Sequence, residues 1–185
     1  MIKTITFFGA ILIFVNSIIA QETEFKFTPS GLTDYVVTTC DGITQTDLYK
    51  KSLDWVSATY KNPKEVLKSQ IENDFIRIEG SSPDIYCINA LGAKTCYQSR
   101  YVVEISFKDG RYRFDVLSLE SYSTQGGWFN VPINEQSGDL YYNKKGELKG
   151  TYKYMDEIAV QFNALNLSLK NYTLGLSDSK KKGDW

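Results

Sequence analysis

The chain has 185 residues and a formal net charge of −1, with 42% hydrophobic and 23% charged residues. This length fits one domain with its own core, and the near-neutral charge argues against a nucleic-acid partner, which would require a basic patch. The sequence contains no histidine, which excludes Ser-His-Asp and Cys-His catalysis and every histidine-based zinc site.

The first twenty residues have the layout of a secretory signal peptide. Lys3 supplies a positive start, residues 5–19 are almost entirely apolar, and Ala20-Gln21 offers a small-residue cleavage point. A membrane anchor is the alternative, but about fifteen apolar residues fall short of the roughly twenty that span a bilayer. We expect cleavage and export to the periplasm, the cell surface or the medium. The rest would be one domain over 21–176 and a polar tail over 177–185, with no stable membrane span.

The first predicted elements of the mature chain are a strand and a helix. The strand covers 35–39 and is rich in β-branched residues. Thr44 can cap the helix that follows, and its apolar stripe consists of Tyr49, Leu53, Val56 and Tyr60. Asn62-Pro63 ends this helix.

Two hairpins are predicted next. Asn73-Asp74 is a plausible two-residue turn, which sets Ile71 opposite Ile76 and Lys68 opposite Glu79. Asp109-Gly110 is a stronger turn signal. The inward-facing pairs of this second hairpin would be Tyr101–Ser118, Val103–Val116, Ile105–Phe114 and Phe107–Tyr112.

Three cysteines lie in the mature chain. In an oxidising compartment Cys87 and Cys96 can close a short loop, because Asn89 and Gly92 between them allow the chain to turn back. Cys40 ends an apolar strand and is expected to be a buried thiol. Metal binding is not expected because no two cysteines have the close spacing of metal ligands, and no cofactor is implied.

The last predicted helix runs from about 154 to 171, with an apolar stripe of Met155, Ile158, Phe162, Leu165 and Leu169. The predicted order is therefore strand, helix, four strands and helix, or β-α-β4-α. Placing both helices on one face of an antiparallel sheet buries their stripes together. The fold class is an α+β two-layer sandwich.

Four segments resemble a family of secreted bacterial proteins, found mainly in Bacteroidota, described as a domain of unknown function with a TBP-like fold. They are LYKKSLDWV at 48–56, KNPKEV at 61–66, FIRIEG at 75–80 and KDGRYR at 108–113. The resemblance covers roughly 44–122 and implies a TBP-like domain. It implies no catalytic residue, because the family has no assigned activity.

Two groups of side chains are candidates for function. In the second hairpin Glu104 lies opposite Asp115 on the outward face, where the pair would support acid–base catalysis or weak Ca²⁺ binding unless Arg113 neutralises it. The turn-rich segment 121–150 carries the aromatic residues Tyr122, Trp128, Tyr141 and Tyr142. These rings would form a stacking surface for a sugar or peptide, or else a satellite core.

We expect an exported, non-catalytic domain that binds an envelope component, peptide or glycan. One alternative is a carboxylate-dependent hydrolase that uses Glu104 and Asp115. The other is a purely structural envelope protein. A hydrolase requires a cleft around the two carboxylates, whereas a binding protein requires an exposed apolar or aromatic patch.

Overall fold

An antiparallel sheet forms the centre of the computed structural model, which describes residues 24–90, 92–134 and 137–176. The predicted signal peptide and polar tail lie outside these residues. The strands are β1 (Phe27–Thr28), β2 (Gly31–Leu32), β3 (Tyr35–Thr39), β4 (Leu67–Ile71), β5 (Phe75–Ser82), β6 (Cys87–Ala90), β7 (Ala93–Cys96), β8 (Ser99–Lys108), β9 (Arg111–Ser123) and β10 (Gly127–Asn130). The helices are α1 (Gln45–Thr59), α2 (Pro63–Val66), α3 (Gly138–Tyr141) and α4 (Met155–Thr173), with a turn of 3-10 helix at Gly150–Tyr152.

The main sheet has the strand order β10-β9-β8-β5-β4, and β3 also pairs with β9. β3 pairs with 111–115 of β9, whereas β10 pairs with 120–123. Since β8 occupies the other side of β9, β3 and β10 lie end to end along the same edge. The long β9 strand therefore organises both ends of the sheet.

The predicted turn at Asp109-Gly110 joins β8 to β9. The three pairs nearest the turn are confirmed: Val103–Val116, Ile105–Phe114 and Phe107–Tyr112. The predicted Tyr101–Ser118 pair is wrong, because an irregularity between Val102 and Val103 sets Leu119 opposite Tyr101. Leu117 is the additional residue on β9, and its side chain is exposed.

The hairpin of β4 and β5 has a longer turn than predicted. Ile71 pairs with Phe75, so three residues form the connection, and Asn73 has a positive φ of 63°. Asparagine tolerates this left-handed conformation better than most residues. The predicted Ile71–Ile76 pairing is therefore wrong by one residue. A bulge between Leu67 and Ser69 still leaves Lys68 Nζ 3.5 Å from Glu79 Oε1.

The first helix begins as predicted at Thr44. Its Oγ1 accepts a hydrogen bond from the Asp47 backbone N at 3.1 Å. The adjacent Gln45 ties the helix to both hairpin turns. Its side-chain amide donates to the backbone oxygens of Asn73 and Phe107, and its backbone N donates to Asp109 Oδ1 at 2.8 Å.

Both long helices cover the same face of the sheet. Tyr49 of α1 packs edge-on against Phe107, and Phe162 of α4 packs edge-on against Tyr101, with ring centroids 5.9 and 5.6 Å apart. Phe107, Phe162 and Phe114 belong to one buried cluster. The predicted α+β class with one helical layer is confirmed.

Three strand features were absent from the predicted order, as were the short helices α2 and α3. A two-stranded hairpin, β1–β2, precedes β3, and β10 extends the sheet beyond β9. A second small hairpin, β6–β7, carries the disulfide between Cys87 and Cys96. These additions surround the core of the predicted topology, β3-α1-β4-β5-β8-β9-α4, and leave it unchanged.

Candidate functional site

The sheet face opposite the helices, here called the open face, carries the side chains of greatest functional interest. Side chains alternate along a strand, so burial of Ile105 and Phe114 on the helical side places Glu104 and Asp115 on the open face. Exposed aromatic rings also lie there at Tyr35, Tyr122 and Trp128.

Three arginines on the open face share one arrangement, with each side chain lying over an aromatic ring and bound to a carboxylate. Their combinations of arginine, ring and acid are Arg77–Phe75–Glu104, Arg100–Trp128–Glu120 and Arg113–Tyr35–Asp115. The guanidinium carbons lie between 4.2 and 5.9 Å from the ring centroids. Cation–π contact and ion pairing therefore hold each of these side chains in place.

The predicted Glu104–Asp115 pair exists as directly opposed residues. Arg77 Nε and Nη2 donate to Glu104 Oε2 at 3.0 and 2.6 Å. Arg113 Nε donates to both oxygens of Asp115 at 2.8 and 2.9 Å. The hydrogen bond to Asp115 raises the pKa of Arg113. Two guanidiniums thus neutralise the pair, where the sequence suggested one.

The four aromatic residues of 121–150 divide into two separate pairs. Tyr122 and Trp128 are cross-strand partners on β9 and β10, with ring centroids 5.5 Å apart, and both are exposed. Tyr141 is buried against Phe27, and the Tyr142 hydroxyl donates to the Phe27 backbone O at 2.8 Å.

Tyr141 and Tyr142 therefore do not belong to the surface that Tyr122 and Trp128 form, which corrects the predicted group of four. The physical reason is the path of the chain after β10. Val131 and Ile133 are buried, and the Ile133 oxygen accepts a hydrogen bond from the Leu32 backbone N at 2.9 Å. This connection carries the following residues to the β1–β2 hairpin, away from the open face.

Trp128 lines a groove of about 730 Å³. The groove runs from the end of α1 and α2 across β4, β5 and β8 to β10. Its charged and amide side chains are Lys61, Asn62, Glu65, Lys68, Glu79, Gln98 and Arg100. Neither sign of charge dominates this lining. We call this cavity the Trp128 groove.

A pair of partly buried tyrosine hydroxyls lies at the Trp128 groove, and the sequence patterns did not predict it. Tyr60 Oη and Tyr101 Oη are 3.0 Å apart, and burial raises the pKa of both side chains. The Tyr101 ring occupies the space above Gly80, its cross-strand partner on β5. A glycine inside an otherwise regular strand is the sequence signal for such a close approach.

The disulfide hairpin lies over the start of α4. The Cys87 backbone N donates to Glu157 Oε2 at 3.0 Å. Tyr86 stacks between Tyr97 and Tyr154, with centroids 5.5 and 4.8 Å apart. The disulfide closes the hairpin, and the hydrogen bond to Glu157 and the stacked tyrosines hold it against the helical layer.

The remaining cysteine, Cys40, is a buried thiol whose pKa is raised by burial. Such a thiol is a poor nucleophile at neutral pH. Within the described ranges, no three potential metal-ligating side chains come together, and no helix is long and apolar enough to cross a membrane.

The sheet has two helices on one face and carries charged and aromatic side chains on the other. This arrangement defines an α+β domain of the TBP-like type. Residues 35–121 match the family model described as "Domain of unknown function (DUF4468) with TBP-like fold". This match confirms the resemblance found in the sequence.

Two solved structures share the fold. One is a DUF4468 family protein from Bacteroides ovatus, 12% identical, with a TM-score of 0.62 over 82% of this chain and 90% of that chain. The other is a TBP-like protein from Parabacteroides distasonis, 9% identical, with a TM-score of 0.53 over 75% and 90%. No curated protein matches the chain. At these identities the likeness concerns the fold, so the function has to be argued from the residues.

Proposed function

We propose that the chain is an exported, non-catalytic domain that binds a glycan of the cell envelope in the Trp128 groove. The observation that carries the proposal is the fixed aromatic residue at one end of a long polar groove. Trp128 is 37% exposed, Arg100 lies 4.5 Å from its ring centroid, and Tyr122 packs against its edge. A ring held in this way loses little side-chain entropy when a ligand binds.

The polar lining of the groove suits a glycan. Sugars present many hydroxyl groups, which pair with carboxylates, amides and guanidiniums, and apolar C–H faces, which pack on aromatic rings. Glu79 and Gln98 supply acceptors, and Lys68 and Arg100 supply donors. Because cationic and anionic groups are mixed, a neutral ligand fits better than a strongly charged one.

A peptide fits this groove less well. Extended peptides usually add to the edge of a sheet, where backbone groups give most of the affinity. The Trp128 groove instead crosses β5 and β8, which are paired on both sides, and reaches the edge strands β4 and β10 only at Lys68 and Trp128. Its recognition groups are therefore mostly side chains.

The proposal gives Glu104 and Asp115 a structural role. Each carboxylate is bound by an arginine, and neither lines the Trp128 groove. A hydrolase would need at least one acid free to exchange a proton with substrate. Ion pairing of both acids favours binding over catalysis.

A glycan array and titration calorimetry test the binding proposal. Arrayed envelope polysaccharides and peptidoglycan fragments should identify a ligand, and Trp128→Ala should weaken its affinity at least tenfold, as expected for an aromatic anchor. Leu117→Ala is the matched control, because Leu117 is an exposed apolar residue on β9 that does not line the groove. Equal affinity of the Trp128 and Leu117 variants, or no binding to any arrayed glycan, would contradict the proposal.

Export is tested separately. Expression of the full chain in a Bacteroides host should yield an extracytoplasmic protein whose N-terminal residue is Gln21, measured by mass spectrometry. Deletion of residues 2–20 should retain the protein in the cytoplasm. An intact N-terminus on the exported protein would favour the membrane-anchor alternative.

A further inference from the structure

A second concave region lies on the open face beside the Asp109-Gly110 turn. Lys108 and Arg111 are directly opposed across this turn, and both side chains are exposed. Like charges on opposed residues of an antiparallel pair destabilise the hairpin. An arrangement with a local cost and no evident structural benefit points to a functional role.

These two cations differ from the other basic residues of the open face. Arg77, Arg100 and Arg113 each bind a carboxylate. Among the described residues, no carboxylate oxygen lies within 4.0 Å of Lys108 Nζ or of the Arg111 guanidinium.

The carboxylate next to them in sequence has another partner. Asp109 Oδ1 accepts a hydrogen bond from the Gln45 backbone N at the start of α1. A carboxylate at a helix N-terminus is stabilised by the helix dipole as well as by this hydrogen bond. Asp109 is therefore directed toward the helical layer and pairs with neither Lys108 nor Arg111.

The two cations line a groove of about 310 Å³, which we call the turn groove. Arg113 also lines it, as do the Asp74 carboxylate and the Ser106 hydroxyl. Arg113 is paired with Asp115, so the remaining charges of the lining are Lys108 and Arg111 against Asp74, which leaves the lining net positive. Ser106 is half-buried, and its hydroxyl makes no hydrogen bond with another described residue, so it is available to a ligand.

We propose that the turn groove binds a doubly charged oxyanion, a sulfate or phosphate group. The Arg111 guanidinium can donate two parallel hydrogen bonds to such a group, Lys108 adds a compact positive charge, and Ser106 adds a neutral donor. This site is separate from the Trp128 groove. Arg100 and Lys108 lie eight residues apart on β8, or about 26 Å at ~3.3 Å per residue.

The direct test is a titration of the 15N-labelled chain with sodium sulfate and sodium phosphate, at constant ionic strength with chloride as the reference anion. The amide signals around Lys108 and Arg111 should shift and saturate with sulfate or phosphate. The double variant K108Q/R111Q should bind at least tenfold more weakly. The matched control K144Q/K145Q removes two exposed lysines of another turn and should bind as the parent does.

Two results would overturn the proposal. One is a set of shifts that rise linearly with sulfate and chloride alike, and the other is unchanged binding by K108Q/R111Q. Dextran sulfate and neutral dextran distinguish the source of the group. If dextran sulfate binds more than tenfold more tightly per sulfate group than free sulfate does, the natural ligand is a group carried by a polysaccharide. Equal affinity per sulfate group indicates a small free anion. Both outcomes support the site.

A charge reversal gives an independent readout. K108E places a carboxylate opposite Arg111, which replaces repulsion by attraction, so the variant should lose sulfate binding and gain about 1–3 °C in Tm. If Lys108 had only a structural role, the same change would lower Tm. That result would overturn the proposal even if sulfate binding were also lost.

Discussion

Substitution of Gly80 by alanine tests the close approach of β5 and the Tyr101 ring. A Cβ atom at this position would lie 2.7 Å from Tyr101 Cε2 and closer still to Cζ and Oη. Ordinary carbon–carbon contacts are about 3.5–4.0 Å, so the ring would have to move by about 1 Å. It has little room, because Tyr101 is 7% exposed and packs against Phe162 while its hydroxyl contacts Tyr60.

The expected loss follows from three contributions. Overpacking costs about 1–3 kcal/mol, and the weakened Tyr60–Tyr101 hydrogen bond costs about 1 kcal/mol. Alanine offsets about 0.4–1 kcal/mol of this by reducing the entropy of the unfolded chain. We therefore expect Gly80→Ala to lower the free energy of unfolding by about 1–3.5 kcal/mol. With an m-value of about 2 kcal/mol/M, the urea midpoint should fall by about 1 M.

Urea unfolding measures this change, and Gly126→Ala is the control. Gly126 has no positive φ, and a Cβ there meets nothing within 4 Å, so its substitution should change stability by less than about 0.5 kcal/mol. In a Tyr101→Leu background the effect of Gly80→Ala should largely disappear, because the clashing ring is absent. Equal midpoints for the two alanine variants would refute this reasoning.

Three further changes test the fold and its ionisation. Gln45→Ala removes the donor to two backbone oxygens and should destabilise by about 1–3 kcal/mol, whereas the exposed Gln161→Ala should be neutral in the same urea assay. Replacing both Cys87 and Cys96 by alanine opens a loop with a sequence separation of 9. This change should cost about 2–3 kcal/mol, and an unchanged midpoint would show that the disulfide does not restrict the unfolded chain. Burial raises the pKa of Tyr154 to about 12, so stability should be complete below about pH 10 and decline as the pH rises toward that value. Urea midpoints measured across this range check the decline, and a midpoint that does not change up to pH 12 would contradict it.

The local signals in the sequence predicted the topology where a residue type has one dominant structural use. Asp109-Gly110 gave the correct turn because glycine accepts the positive φ of 73° at its position. Thr44 gave the correct helix start because its hydroxyl satisfies a free backbone N–H. The apolar stripe of α4 gave the correct buried face because apolar residues spaced three or four apart lie on one side of a helix.

Register and long-range packing could be predicted only in part. Asn73 is compatible with both two- and three-residue turns, so the sequence did not distinguish the two registers of the first hairpin. The bulge at Leu117 hides the Arg100–Glu120 pairing, because it shifts β9 by one residue beyond that point. The separation of Tyr141 from Trp128 depends on where a loop returns, and no local pattern encodes that path.

The organisation of the open face explains why the two proposed sites lie where they do. A sheet face with exposed aromatic rings invites self-association. Here the guanidiniums of Arg77, Arg100 and Arg113 cover rings, and a carboxylate neutralises each guanidinium, so most of the face is neither apolar nor strongly charged. This pattern changes at two places. Trp128 borders a groove of about 730 Å³. At Lys108 and Arg111 no carboxylate oxygen of a described residue lies within 4.0 Å of either cation, although Asp74 lines the same groove. Because the rest of the face satisfies its own charges and rings, a ligand gains most by binding at these two places.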